Sequence, residues 1–251
     1  MAQGIDCATP LTLSTAKALY AAGYRFACRY LVPPAYAWKR LTLEEARAIT
    51  EAGMNIVSVF ETSAQRAKGG AAAGQADGAA AYLEAKAIGQ PPGTAIYFAV
   101  DYEALPADYD RIEAYLRAAA AEIKEYAAGV YGSYFVIEEM AKRGACRHFW
   151  QTYAWSRGQK SPRINLYQYR NNVQVAGILA DLNESFGNEG WWNTAMKAET
   201  GGGNGMMSKE DAEKIIRFLQ AAWQIATTKT DKDEFHRLAN EIRKAAGIPV
   251  D

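Results

Sequence analysis

Residues that bind transition metals or form disulfides are scarce in this sequence. Among its 251 residues there are three cysteines and two histidines. The spacing of Cys7, Cys28 and Cys146 fits neither a disulfide framework nor a zinc motif, which indicates reduced thiols. No His-Glu-x-x-His or Cys-x-x-Cys motif occurs, and this disfavours a zinc amidase or metallopeptidase. Cys146 and His148 could share one face of a strand, but no orienting motif follows them, so a Cys/His peptidase is disfavoured too.

The sequence also lacks an excess of charge of one sign, long apolar runs and a leader segment. Lysine plus arginine and aspartate plus glutamate both number 28, so no nucleic-acid or anionic-lipid partner is expected. No run of about 18 apolar residues occurs, so no membrane span is expected. The opening residues, MAQGIDCATP, have neither a basic nor an apolar signal region. We therefore expect no signal peptide and synthesis in a cytoplasm.

Apolar residues are abundant, at 49% of the sequence, and their pattern predicts an α/β fold. Eight short, β-rich apolar runs are expected to form strands, at residues 4–6, 26–32, 55–61, 95–101, 127–133, 148–154, 164–169 and 178–184. Helical patterns lie between the earlier runs, at residues 14–22, 42–53, 71–88, 108–126 and 135–143. Eight strands with about five helices predict parallel β/α units closed into a TIM-like barrel. An open flavodoxin-like sheet is the alternative, although it normally has fewer strands.

The character of the sequence changes after residue 198. Residues 1–198 are assigned to the barrel, and the glycine-rich residues 199–207 predict a flexible linker. Residues 208–251 then follow as a separate segment with helical spacing. Met206 and Met207 precede this segment either as an apolar lead-in or as an internal translation start.

The last segment predicts a small helical hairpin. Its helices are expected to begin at Ser208 and Thr230, each followed three residues later by an aspartate. A hairpin of this size buries little apolar surface by itself. We therefore expect it to self-associate, and to bind the surface on which the barrel acts.

Acidic residues recur where the predicted strands end. They are Asp6, Glu61, Asp101, Glu103 and Asp181. In a β/α barrel the active site lies where the carboxyl ends of the strands meet. In the stretch AIYFAVDYEA, Asp101 and Glu103 are two residues apart, about 6.6 Å along a strand, so both are predicted to lie over one pocket. A single acid there can instead cap a helix or form an ion pair, but repetition at several strand ends favours chemistry.

Clustered carboxylates have a chemical consequence. Their repulsion raises the pKa of at least one of them, so that a protonated acid lies beside ionised neighbours. Hydrolysis of a glycosidic bond needs such a set. Coordination of magnesium or calcium by the same oxygens is the alternative. No motif in the sequence is typical of a set of metal ligands, and we expect neither a metal nor a cofactor.

Aromatic, amide and charged side chains near the same strand ends suit a sugar ligand. Rings stack on the apolar faces of sugars, and hydroxyl and amide groups bond to their substituents. The predicted substrate-binding residues are Arg29, Tyr30, Glu61, Tyr102, Tyr131, Gln151, Gln168 and Tyr169. Arg29 is expected to pair with Glu61, and ordinary barrel packing is the alternative for some of the rings.

Four segments of the chain resemble the family-25 glycoside hydrolases, the Chalaropsis-type lysozymes that cut peptidoglycan. They are GIDCATP, AVDYE, GVYGSY and LYQYRNNVQVAGILADLN, in this order, and the resemblance spans roughly residues 4–186. The chain is more similar to family-25-like domains, formerly of unknown function, in phage lysins and secreted bacterial proteins. Those domains have an Arg-Tyr pair on strand two and Glu-Thr-Ser on strand three, here Arg29–Tyr30 and Glu61–Thr62–Ser63.

The resemblance implies roles for the acids. Glu103 would be the general acid, and Asp101 would orient the acetamido group of the substrate or stabilise the oxocarbenium-like state. Asp6 and Asp181 would shape the pocket, while Arg29 and Glu61 depart from the characterised lysozymes. The implied protein is a phage-type endolysin with bacterial peptidoglycan as partner, made in the host cytoplasm and acting on the wall after release. A non-catalytic glycan-binding barrel and a glycosidase for another polysaccharide are the alternatives.

Overall fold

Residues 1–196, 209–225 and 228–249 are described by the computed structural model. The first part is a closed eight-stranded barrel in which the strands follow one another in chain order. The strands are β1 Gln3–Asp6, β2 Tyr24–Tyr30, β3 Asn55–Phe60, β4 Ala95–Ala99, β5 Ala127–Gly132, β6 His148–Thr152, β7 Leu166–Val175 and β8 Ile178–Ser185. The prediction of a TIM-like α/β barrel is confirmed.

Five α-helices surround this barrel, as predicted. They are α1 Leu13–Ala21, α2 Leu43–Glu51, α3 Gly70–Ala87, α4 Tyr109–Glu122 and α5 Tyr134–Arg143. Their ends follow local signals in the sequence. The Thr42 hydroxyl accepts a hydrogen bond from the Glu45 amide at the start of α2, and Gly144 ends α5 with a φ of 62°.

The direction of the last strand differs from the prediction of parallel units. Strands β1 to β7 run parallel to one another, whereas β8 is antiparallel to both of its neighbours, β7 and β1. The reason is a two-residue turn in which Ala176 and Gly177 both have positive φ, 49° and 80°. Such turns reverse the chain into a hairpin. Strand β8 therefore starts at the barrel mouth, which brings Asp181 opposite Asp6.

Side chains along each strand point alternately into the barrel and toward the helices, and this creates two apolar layers. Inside the barrel, Phe26 and Cys28 of β2 pack with Tyr97 of β4. On the outside, Ala27 of β2 and Phe98 of β4 pack with residues of the helices. Even-numbered residues of β2 and odd-numbered residues of β4 thus face inward, which decides which polar side chains reach the mouth.

Helices α3 and α4 lie unusually close together, and glycine makes the contact. A Cβ at Gly74 would overlap the carbonyl oxygen of Tyr115, and one at Gly78 would approach that of Ala119 to 2.6 Å. The small residues of α3 therefore serve close packing, with the buried Asp77 between these glycines accepting bonds from Arg66 and Tyr115.

The chain divides into two compact units, Met1–Ala198 and Glu199–Asp251. The second contains α6 Lys209–Ile225 and α7 Lys229–Ala245. The helix α7 begins two residues earlier than expected, because the Thr228 hydroxyl, and not that of Thr230, accepts the capping bond from Asp231. The linker at 199–207, Ser208 and the two methionines before it lie outside the described residues. None of the described helices is long and apolar enough to span a bilayer.

Candidate active site

A cavity of about 160 Å³ opens at the carboxyl ends of the parallel strands. It is lined by Asp6, Tyr30, Val59, Glu61, Ala99, Asp101, Tyr131, Trp150, Gln168, Asn171 and Asp181. Most of these side chains are the inward-facing residues at the ends of their strands, so the cavity continues the barrel interior. Seven of the residues predicted from the sequence meet here, and they include three of the four acids assigned to catalysis.

Asp6 and Asp181 form a carboxylate pair at one side of the cavity. The Nε2 group of Gln168 donates to both of them, at 2.9 Å to Asp6 Oδ2 and 3.2 Å to Asp181 Oδ2. Asn183 Nδ2 donates to the same Asp6 oxygen at 2.7 Å. The Oε1 atom of Gln168 accepts from Tyr131 and Thr152. The amide of Gln168 is therefore used within the protein, and it holds the two acids.

The cavity acids are shifted toward their protonated forms. Burial, with the nearby charge of Asp181, raises the pKa of Asp6 to about 7. Burial and the charges of Glu61 and Asp181 raise the pKa of Asp101 to about 6, although Lys39 opposes this. Burial also raises the pKa of Asp181, against a hydrogen bond from the Asn172 amide. Near neutral pH the cavity can therefore hold a transferable proton beside an ionised carboxylate.

Asp101 is the acid with its carboxylate open to a ligand. The strand β4 ends at Ala99, and the backbone of Asp101 is held by a bond from its amide to the Ala64 carbonyl. Asp101 has the same parity as Tyr97 and Ala99 and faces the cavity. Within the described part of the chain, its carboxylate accepts no hydrogen bond.

Glu103 is placed outside this cavity. Its side chain is 54% exposed, and its carboxylate lies 3.6 Å from the guanidinium of Arg157. The expectation that Asp101 and Glu103 share one pocket is therefore wrong. The two-residue period applies only while the chain remains in the sheet, and β4 has ended four residues before Glu103.

The predicted ion pair between Arg29 and Glu61 does not form. Arg29 faces outward from β2 and is fully buried against α2, where its Nε bonds to Glu45 at 2.6 Å. Glu61 instead pairs with Lys39, whose Nζ lies 3.2 Å from Glu61 Oε2. Because Tyr30 faces into the barrel, its neighbour Arg29 must face the helices, so Arg29 does not line the cavity.

Three further predicted binding residues are directed elsewhere. Tyr102 packs in the outer layer beneath Lys68, with the ammonium 4.6 Å from its ring centroid. Gln151 is fully buried and bonds to backbone atoms of the following loop. Tyr169 also faces the outer layer, and its hydroxyl donates to Gln3. In each case the inward position belongs to a neighbour in sequence.

Three polar or aromatic residues at the site are absent from the predicted set of substrate-binding residues. Lys39 is 5% exposed and pairs with Glu61. Trp150 lines the cavity and donates from its indole nitrogen to Asn183 at 2.8 Å. Asn171 lines it too, and its buried Oδ1 has no hydrogen-bond partner among the residues that the structure describes. Trp150 had a signal, as an aromatic residue in a predicted strand, whereas a lone lysine in a connection and a lone asparagine in β7 have none.

The arrangement of these acids does not favour a metal site. Across residues 1–196 and the described parts of the hairpin, no group of three or more histidine, cysteine, aspartate or glutamate side chains has an arrangement suited to a metal ion. The expectation of neither a metal nor a cofactor stays a prediction.

The chain is similar to several known proteins. Residues 17–185 match the family model of the Rv2525c-like, glycoside hydrolase-like domain. The uncharacterized protein FadG of Bacillus subtilis (strain 168) is 33% identical over 150 residues, a match that covers 56% of this chain and 24% of FadG. The chain thus spans about a quarter of the length of that relative.

Two solved structures extend the comparison. The Tat-secreted protein Rv2525c of Mycobacterium tuberculosis, in complex with L-tartrate, has a TM-score of 0.68 and 28% identity over 76% of this chain and 98% of its own. GHIP, a glycosyl hydrolase 25 of Streptococcus pneumoniae, has a TM-score of 0.52 and 14% identity over 73% of this chain and 86% of its own. The second likeness shows a common fold alone.

Proposed function

Because this chain belongs to the family of Rv2525c-like, glycoside hydrolase-like domains, we propose that it hydrolyses the glycan backbone of bacterial peptidoglycan. The observation that carries the proposal is the group of Asp6, Asp101 and Asp181 around one cavity, two of them with a pKa raised to about 7 and about 6. Such acids can exchange protons with a glycosidic oxygen and a water molecule near neutral pH. The fold shared with a glycosyl hydrolase 25 supports the type of reaction.

Asp101 is the proton donor in this proposal. Its carboxylate faces the cavity, accepts no hydrogen bond from the described residues, and has a pKa raised to about 6. As the glycosidic C–O bond breaks, the proton of Asp101 passes to the leaving oxygen, and positive charge develops at the anomeric carbon. The ionised member of the Asp6–Asp181 pair stabilises that charge and accepts a proton from the water that adds to the carbon. Glu103, exposed beside Arg157, then has no direct part.

The proposal includes the setting of the reaction. The protein is a phage-type endolysin that is made in the host cytoplasm and reaches the wall after release. The helical hairpin binds the wall and keeps the barrel near its substrate, which raises the effective concentration of glycan without new contacts in the cavity.

Two matched variants test the assignment of the proton donor. Asp101→Asn and Glu103→Gln each remove one acid and keep its shape. We expect Asp101→Asn to lower the rate of wall hydrolysis about 10²–10⁴-fold, the usual value of general acid catalysis, while Glu103→Gln stays close to wild type. Reducing-sugar release from purified peptidoglycan and mass spectrometry of the fragments measure the rate and name the bond. Equal melting temperatures confirm that both variants fold.

The opposite outcome would return the role to Glu103. If only Glu103→Gln loses activity, the resemblance to the lysozymes predicts the acid better than the cavity does.

The exposed position of Glu103 also favours a second candidate function, a barrel that binds glycan without cutting it. In that case the wild-type protein sediments with purified walls but releases neither reducing ends nor amines.

A chelator separates proton transfer from metal coordination. If the acids act as proton donors and acceptors, treatment with EDTA leaves the rate of wall hydrolysis unchanged. A large loss that one divalent ion restores would assign the same oxygens to coordination. Activity of the Glu103→Gln variant under the same treatment is the control.

A further inference from the structure

The loop between β2 and α2, residues 31–42, presents a tryptophan at the barrel mouth. Trp38 is 63% exposed, whereas its neighbour Lys39 is only 5% exposed. The loop leaves the carboxyl end of β2, the end at which the cavity opens, so the indole lies on the same side of the barrel as the candidate active site. An exposed indole beside a polar cavity has an apolar face available to a ligand.

The loop is held in place on both sides of Trp38. The Leu41 amide donates to the Tyr30 carbonyl at 2.8 Å, which returns the chain to the end of β2. The buried Arg29 donates from Nη2 to the Lys39 carbonyl at 3.2 Å. Leu31 is fully buried before the turn. The exposed position of the indole is therefore set by contacts of its neighbours in the loop.

Lys39 connects Trp38 to the cavity. Its ammonium lies 4.3 Å from the ring centroid of Tyr30, which lines the cavity, and 5.4 Å from that of Trp38. It also pairs with Glu61, another lining residue. One buried cation thus contacts both rings, and cation–π attraction keeps the indole beside the cavity edge.

The size of the cavity shows why such a surface matters. At about 160 Å³ it is smaller than the roughly 300–1,000 Å³ of typical ligand sites. A polysaccharide therefore cannot be enclosed, and the units beyond the reacting bond must lie on the rim. The rim residue with the largest accessible apolar face in this loop is Trp38.

We infer that Trp38, positioned by Lys39, forms a subsite on which a neutral pyranose ring of the glycan chain stacks next to the cavity. The inference rests on the proposed action on glycans. The ligand class is an uncharged sugar unit of a chain longer than a disaccharide, because the indole offers an apolar face and the adjacent ammonium is already paired with Glu61. Lys39 acts as a positioning residue and does not itself contact the sugar.

The test measures binding as a function of glycan length. Soluble glycan strands prepared from peptidoglycan, a single disaccharide and longer strands, are titrated by calorimetry into protein carrying Asp101→Asn, which is expected to slow hydrolysis enough for binding to be measured. Trp38→Ala is compared with Trp38→Tyr, which retains a ring. The control is Leu83→Ala, since Leu83 is 67% exposed on α3 and lies outside the cavity lining.

We expect Trp38→Ala to weaken binding of the longer strands about three- to tenfold, the range of one aromatic stacking contact, with the disaccharide unaffected. Trp38→Tyr should recover most of the loss, and Leu83→Ala should bind like the parent. Equal binding of long strands by Trp38→Ala and the parent would overturn the subsite while leaving the proposed function in place. If the parent binds no strand and the wild type cleaves none, the proposed function fails, and the subsite fails with it.

Discussion

At the scale of single residues, Asp6 shows how a candidate functional site costs stability. It is buried, and one of its two carboxylate oxygens, Oδ2, accepts hydrogen bonds from both Gln168 and Asn183. These bonds lower its pKa less than burial and Asp181 raise it, so the net value is about 7. A charge that is buried near another charge of the same sign lowers the stability of the folded state. Proteins keep such groups mainly where the chemistry of a site needs them.

A substitution at Asp6 should make this cost measurable. The folded state binds the Asp6 proton more tightly than the unfolded state, since the pKa rises from 3.8 to about 7. The protonated Asp6 carboxyl therefore contributes to the free energy of unfolding. This contribution is complete below pH 4 and is lost as the pH rises toward 7. Asp6→Asn keeps an oxygen for both amide donors and does not titrate. We expect it to be more stable than wild type at pH 8 by on the order of 2–4 kcal/mol, and much less so at pH 4.

Urea unfolding at the two pH values checks the effect. Glu51→Gln is the control, because Glu51 is an exposed carboxylate in a surface pair with Lys17. The same Asp6→Asn protein should hydrolyse walls more slowly, since the pair with Asp181 is broken. A destabilisation of equal size at both pH values would show that the charge of Asp6 is not the source of the cost.

At the scale of secondary structure elements, the contact between α3 and α4 depends on glycine. The helix α3 contains several residues of low bulk, and two of its glycines face the backbone of α4. Glycine inside a helix costs roughly 0.5–1 kcal/mol relative to alanine, so its presence here needs a reason. The reason is the close approach of α3 to α4. A residue with a Cβ at either glycine position would fit only if one of the two helices shifted.

Gly74→Ala should therefore destabilise the protein although alanine favours helices. The new methyl group would overlap the Tyr115 carbonyl, and overpacking of this kind typically costs about 1–3 kcal/mol. Gln75→Ala, at an exposed position one residue further along α3, should change stability by less than about 0.5 kcal/mol. Thermal unfolding of both variants measures the difference. An increase in stability for Gly74→Ala would mean that the helices separate easily.

At the scale of the whole molecule, the chain consists of a barrel unit and a hairpin unit. The two hairpin helices bury Ala212, Ile216 and Leu219 of α6 with Ala239 of α7, but Ile215 and Trp223 remain 39% exposed. Two helices enclose only a small core. Self-association of the hairpin, which would cover these apolar side chains, stays a prediction.

Light scattering coupled to gel filtration tests it. We expect the full chain to form a species larger than a monomer in a concentration-dependent way, and the double variant Ile215→Ser, Trp223→Ser to shift it toward the monomer. The control is Leu179→Ser, which removes an exposed leucine of the barrel, 49% accessible, and should leave the mass unchanged. A monomer at all concentrations would assign the exposed side chains to wall contact or to no partner.

Local signals in the sequence were sufficient for most of the architecture. Apolar runs of strand length predict all eight strands, and residues such as Thr42 and Gly144 mark helix ends, because capping and turn formation depend on neighbours in the chain. The meeting of Asp6 and Asp101 at one cavity also follows from sequence. Both continue the inward parity of their strands, and closure of a barrel brings strand ends together.

Other properties were decided only by the tertiary structure. Arg29 pairs with Glu45 and Lys39 with Glu61, because the partner of a charge depends on which distant element packs against it. Glu103 leaves the cavity because the chain leaves the sheet after Ala99, a change of direction that strand periodicity cannot report. Side-chain alternation is a property of the local backbone, whereas the path of a loop and the pairing of buried charges are set by contacts between residues far apart in the chain.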